Sequence, residues 1–357
     1  MVSLSDTLTN LSRMRAAGTA SDVPDRLHDL TGFAPDPGNL RARVHVPANL
    51  RPGAALVVAL HGCTQNAAVY DHGTGWSTLA DAQGFVVLLP EQRRANNANL
   101  CFNWFEDADI ARIGGEAESI VAMIDAVVTE HAIDPARVFV TGLSAGGAMT
   151  AVLLATWPER FAAGAIIGGL PYGTAIGVRA ALERMRGQPA AARAIAPATR
   201  FPRVAIWHGT ADPTVVVANS DALVDQWRAV HALPADPTER TGAANWSRRA
   251  WHDAAGRPLV EEWRIAGMGH GVPVDGHSGI GAAGPFMLDV GLSSTLEIAR
   301  SWGLTDATAP AAEANPRLER ITPIAGTRPG ATRREPTPAS GVQATIENAL
   351  RSAGLLR

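Results

Sequence analysis

The stretch from Arg137 to Gly147, Arg-Val-Phe-Val-Thr-Gly-Leu-Ser-Ala-Gly-Gly, limits the architectures open to this chain more than any other segment. A β-branched apolar run leads into Gly142-Leu143-Ser144-Ala145-Gly146, and small residues suited to a closely packed helix follow at once. Strand, sharp turn and helix form the context in which G-x-S-x-G makes a nucleophile elbow. Glycine at 142 and 146 lets strand and helix approach, so the turn can hold Ser144 in a strained conformation at the carboxyl edge of a sheet. A serine hydroxyl is a weak nucleophile at neutral pH. The elbow therefore demands a base and a group to orient that base.

Apolar runs alternate with helical periodicity along the chain, which predicts an α/β fold with a doubly wound, mostly parallel sheet and helices on both faces. Strands are expected near 41–46, 55–60, 85–89, 137–141, 163–167, 203–207 and 260–265. Residues 115–131 carry Ile120, Met123, Ile124, Val127 and Val128 on one face, as an amphipathic helix requires. Helices are also expected at 145–156, behind the serine, and at 287–302, with Leu288, Leu292, Leu296 and Trp302 inward. Residues 171–200 read as a helical insertion near the site mouth, a lid or a plain surface helix pair.

In such a sheet the loops beyond the strand carboxyl ends share one crevice. Two of them follow the elbow. Val204–Gly209 leads to Asp212, and Glu261–Ile265 leads to the glycine-rich loop bearing His270. That gives a triad of Ser144, Asp212 as acid and His270 as base, in the chain order serine, acid, histidine. The alternatives are an Asx turn at Asp212 and a solvated loop histidine at 270. The Ala145 N–H, next to the nucleophile, is one oxyanion donor. The turn His61-Gly62-Cys63-Thr64-Gln65, after the buried run Ala54–Leu60, supplies the Cys63 N–H as the second. His61 precedes the elbow and reads as a packed structural histidine.

Leu60-His-Gly-Cys-Thr-Gln65, Tyr70-Asp-His-Gly73, Trp76 with Leu79-Ala80, Cys101-Phe-Asn-Trp-Phe105, Gly142–Gly147 and Gly168-Gly-Leu-Pro-Tyr-Gly173 together resemble the polyhydroxybutyrate depolymerase-like esterases. These are serine hydrolases of the α/β-hydrolase superfamily, related to feruloyl and acetylxylan esterases. The resemblance spans roughly residues 38–302 and implies the same triad, with Cys63 and Ala145 at the oxyanion hole. It supports ester hydrolysis more strongly than any one substrate. Polymer-degrading members add a binding module after a linker, and no such folded module fits here. Short-chain or hydroxyalkanoate esters come first, with feruloyl or acetyl sugar esters and thioesters open to the same triad. A non-catalytic binding protein of this fold is a further alternative. Tyr70, Trp104 and Tyr172 are candidates for the substrate crevice, with core packing as the alternative for each.

The catalytic domain is expected at 38–303, after an N-terminal helix and lead-in over 1–37. The Ala-, Pro- and Thr-rich stretch 304–340 buries too little apolar surface to order itself, and 341–357 regains helical spacing that suits docking on the domain or on a second copy. A net charge of −3 over 357 residues gives no reason to expect nucleic acid as a partner. The chain has no lysine, which excludes Schiff-base, P-loop and Ser–Lys chemistry. The mechanism calls for neither metal nor organic cofactor. No apolar run is long enough for a transmembrane span, and no secretory signal is visible at the N-terminus, which points to the cytoplasm. Cys63 and Cys101 pull the other way if they form a disulfide, the mark of an oxidising compartment. Two reduced thiols are the alternative.

Overall fold

Leu56, Val58 and Leu60 pack into one apolar core while Ala55, Val57 and Ala59 pack into another. This period-two division of a fully apolar run is what a strand covered on both faces requires. In a computed structural model that describes residues 23–305, that strand lies inside a ten-stranded sheet. Its members are β1 (His28–Leu30), β2 (Arg41–His45), β3 (Leu56–Leu60), β4 (Val86–Glu91), β5 (Val138–Leu143), β6 (Ala163–Ile167), β7 (Arg203–Gly209), β8 (Glu239–Gly242), β9 (Trp246–His252) and β10 (Pro258–Ile265). Their order is β1-β2-β4-β3-β5-β6-β7-β10-β9-β8. The six strands from β4 to β10 run parallel, with antiparallel pairs added at each edge.

Helices cover both faces, as expected. The helix α1 (Ala67–Thr74) is followed by α2 (Trp76–Gln83), α3 (Glu116–Glu130), α4 (Ala145–Thr156), α5 (Val178–Met185), α6 (Ala218–Val230) and α7 (Ser294–Ser301). On one face α3 buries Ile120, Met123, Ile124 and Val127, with Val128 partly buried, beside α4 and α6. On the other, Tyr70, Trp76, Leu79, Ile298 and Trp302 pack together. Trp302 stacks on Phe139 at 4.8 Å and on Trp76 at 5.8 Å between ring centroids.

Three expectations need correction. The sheet begins before residue 38, because β1 pairs with β2 and Asp25 ties to Arg43. Residues 287–302 are not one helix. Met287–Asp289 forms β12, parallel to β11 (Val272–Val274), and the helix starts only after Ser293, whose Oγ accepts from Leu296 N–H at 3.3 Å. Leu288 is therefore a strand residue. The 171–200 insertion holds a single helix, α5, bounded by Gly177 and Gly187, and the Pro- and Ala-rich remainder carries no regular element. The N-terminal surface helix, the 306–340 stretch and the C-terminal helix lie outside the described residues. Among the described residues no helix is long and apolar enough to cross a membrane.

Candidate active site

The turn between β5 and α4 shows why glycine flanks Ser144. A Cβ on Gly142 would lie 2.4 Å from the Gly146 carbonyl oxygen, and one on Gly146 would lie 2.3 Å from that of Leu60. Neither atom can move without shifting backbone. Ser144 itself has φ 58° and ψ −116°, a conformation that costs a residue bearing a Cβ about 1–3 kcal/mol. Its N–H donates to the Ile167 carbonyl at 2.9 Å, and its own carbonyl accepts from Ala148 N–H at 2.8 Å. The hydroxyl sits at the amino end of α4, where the helix dipole favours developing negative charge.

Asp212 closes an Asx turn and also pairs with His270. Its Oδ1 accepts from the N–H groups of Thr214 at 2.8 Å and Val215 at 2.9 Å, closing an Asx turn. That leaves Oδ2 for His270 Nδ1, 2.6 Å away. The β7 and β10 loops that carry the pair are joined by the Ala211 N–H to Met268 carbonyl bond at 3.0 Å. Burial works to raise the Asp212 carboxyl, but the imidazoles of His270 and His208 and the backbone donors outweigh it and hold the carboxyl below its ordinary range. Nε2 of His270 is buried without a hydrogen-bond partner. Consecutive residues locate it relative to the serine. The Ile167 carbonyl holds Ser144 N–H, and a Cβ on Gly168 would lie 3.3 Å from the His270 ring. No hydrogen bond joins Ser144 Oγ to His270 in this structure.

His208 packs beside this pair. Its Nε2 lies 2.7 Å from the Val215 carbonyl and 3.5 Å from Asp212 Oδ2. The carbonyl partner fixes the proton on Nε2, and burial lowers its basicity. The ring braces the Asp212 turn as a neutral group.

The loop after β3 is held by a buried polar chain. Gln92 N–H donates to His61 Nε2 at 3.1 Å, which puts the imidazole proton on Nδ1, 2.8 Å from the Gly62 carbonyl. His61 is thus a neutral structural residue. Gly62 N–H donates to Gln65 Oε1 at 2.9 Å, and Thr64 N–H to the Asn99 carbonyl at 2.7 Å. Cys63 and Cys101 form a disulfide. Among the described residues the N–H groups of Cys63 and Ala145 have no protein acceptor, and the two residues pack in one cluster with Trp104, Leu170, Ala181 and Met185. The α5 segment therefore covers the elbow side of the site. Of the three crevice aromatics only Trp104 belongs to this cluster. Tyr70 is enclosed in the core between the sheet and α2, with no exposed surface, and the Tyr172 ring joins the opposite core while Gln226 pins its backbone. Tyr70 is corrected to a packing residue.

Below this loop, Gln92 Nε2 donates to Glu116 Oε1 at 2.6 Å and Asn103 N–H to Oε2 at 2.8 Å. Burial pushes the Glu116 carboxyl up, and Asp109 pushes the same way, to about 8. The folded protein keeps a proton here that the unfolded chain loses near 4.5. The stabilisation linked to this group is complete at pH below 4.5, declines as pH climbs toward 8, and is gone above it. Glu116→Gln, which cannot ionise, is expected to lose less stability than wild type between about pH 5 and pH 8 in denaturant titrations. Equal losses would refute the assignment.

The topology, with a strained serine after β5 and a His–Asp pair carried on later strand-end loops, is that of the α/β-hydrolase fold. By sequence the chain belongs to the Esterase PHB depolymerase family, whose model matches residues 45–247. It is 42% identical over 291 residues to the poly(3-hydroxyalkanoate) depolymerase C of Paucimonas lemoignei, covering 78% of this chain and 70% of that protein. It is 29% identical over 270 residues to acetylxylan esterase A of Aspergillus oryzae, covering 70% and 85%. The acetyl xylan esterase structure from Aspergillus awamori superposes with a TM-score of 0.67 at 24% identity, over 78% of this chain and 99% of that one.

Proposed function

We propose that the protein is a serine esterase that cleaves hydroxyalkanoate-type and short-chain carboxylic esters through an acyl-enzyme on Ser144. The observation that supports this reading is the 2.6 Å pairing of His270 Nδ1 with Asp212, which leaves Nε2 buried and without a partner on a ring beside Gly168, next to the Ile167 carbonyl that holds Ser144 N–H. Asp212 holds the imidazole as the Nδ1–H tautomer, so Nε2 is free to accept a proton. As Ser144 Oγ attacks the ester carbonyl, its proton passes to Nε2 and the carbonyl oxygen gains negative charge. The N–H groups of Cys63 and Ala145 receive that oxygen. The intermediate collapses, the C–O bond to the alcohol breaks, and His270 returns the proton to the departing alkoxide. Water then attacks the acyl-serine by the same route and releases the acid.

The likeness to a poly(3-hydroxyalkanoate) depolymerase supports the substrate class. A sugar-ester substrate is the second reading, favoured by the 85% of the Aspergillus oryzae acetylxylan esterase that aligns. The Cys63–Cys101 disulfide supports an oxidising compartment over the cytoplasm. A panel of 3-hydroxybutyrate oligomers, p-nitrophenyl butyrate, acetylated xylan, feruloyl esters and butyryl thioesters, run beside Ser144→Ala, tests the reading. The oligomers are expected to give the highest kcat/KM. Higher values on acetylated xylan or feruloyl esters would shift the assignment to sugar esters, and failure of a fluorophosphonate to label Ser144 would remove the serine mechanism.

A further inference from the structure

Gly284-Pro285-Phe286-Met287 turns the chain back on itself, with Gly284 and Met287 exchanging backbone hydrogen bonds at 3.0 and 2.9 Å. Proline at the second position and a φ of +64° at Phe286 follow the pattern of a type II turn, whose third position normally takes glycine or asparagine. An aromatic residue there is a backbone outlier. The surroundings enforce it. The Phe286 carbonyl accepts from Val272 N–H at 2.8 Å, and a Cβ on Gly271 would lie 2.7 Å from that same oxygen. Strain of this kind persists where a side chain must point somewhere particular. The Phe286 ring points at His270, edge to face, with centroids 6.5 Å apart and planes at 72°. It remains partly exposed, as do Leu288 and Ile280 beside the same core.

Chemistry gives this position a meaning that rests on the proposed triad. His270 Nε2 must deliver its proton to the departing alkoxide, so the alcohol half of an ester lies against the imidazole. The Phe286 ring packs against that imidazole and is partly exposed, which suits it to line the alcohol half. We propose that Phe286 is the apolar wall of an alcohol-side subsite, which selects esters whose alcohol component is hydrocarbon-rich, such as the alkyl-bearing unit of a hydroxyalkanoate chain, over polyhydroxylated alcohols. Apolar contact of this kind discriminates by transition-state binding and changes kcat/KM with alcohol size.

The test holds the acyl group constant and varies the alcohol, comparing methyl, butyl and hexyl butyrates in wild type, Phe286→Gly and Phe286→Leu. Glycine adopts the native φ without strain while removing the ring, and leucine keeps apolar bulk without the flat face. The hexyl-to-methyl ratio of kcat/KM is expected to fall about tenfold in Phe286→Gly and by less in Phe286→Leu. A series of acyl lengths on methyl esters is expected to keep its wild-type order. A ratio that does not change, with all esters falling together, overturns the subsite and leaves Phe286 a packing residue. Thermal unfolding of each variant reports whether the turn tolerates the change. Should Phe286→Gly fail to fold, the Phe286→Leu ratio decides. Hydrolysis of methyl butyrate surviving in Ser144→Ala would instead sink the triad reading itself, so the two failures are separable.

Discussion

Ser144→Ala is expected to lower kcat by about a millionfold, His270→Ala by a similar factor, and the double variant by hardly more than either. The reason is mechanical. The hydroxyl is useful only when Nε2 takes its proton, and Nε2, buried without a hydrogen-bond partner, has no other evident role. What remains in each variant is binding and the backbone donors, worth roughly a thousandfold over water. Steady-state kinetics on p-nitrophenyl butyrate, with Ser144→Ala purified away from any wild-type contaminant, reads the effect. Losses that multiply in the double variant would mean the two residues act independently and would break the proposed mechanism.

Asp212→Asn is expected to lower kcat about ten-thousandfold while leaving the fold intact. The Asx turn dictates which way the new amide points. The N–H groups of Thr214 and Val215 require an acceptor at the Oδ1 position, so the asparagine oxygen stays there and its NH2 faces His270. An NH2 cannot accept from Nδ1–H. The imidazole must then carry its proton on Nε2, where it can no longer act as a base toward Ser144. Circular dichroism identical to wild type, with kcat reduced and partly recovered at high pH, is the expected result. Near-wild-type activity at neutral pH would show that the tautomer is not set by residue 212.

The elbow was legible because its constraints are local: Gly142 and Gly146 are demanded by backbone atoms within a few residues or on the adjoining strand. Asp212 and His270 were legible because each follows an apolar run with a glycine-rich turn. The β8–β9 edge was not. Its attachment to β10 draws on Arg248 and Arg249 of β9 meeting Glu261 and Glu262, and such matches exist only between segments. Leu288 was read as helical because a short apolar run suits either state until its partner, β11, is known. Tyr70 and Tyr172 carried no sign of which way they face. Phe286 was invisible for a different reason, since its conformation is one that its residue type argues against.

The φ and ψ of Ser144 belong to a region where glycine would rest without cost. The sequence that best serves thermodynamic persistence at this turn therefore differs from the one that best serves reactivity, and neighbouring strands must keep tight hold of a position that would otherwise relax. Selection for a hardier molecule and selection for a faster one pull residue 144 in opposite directions.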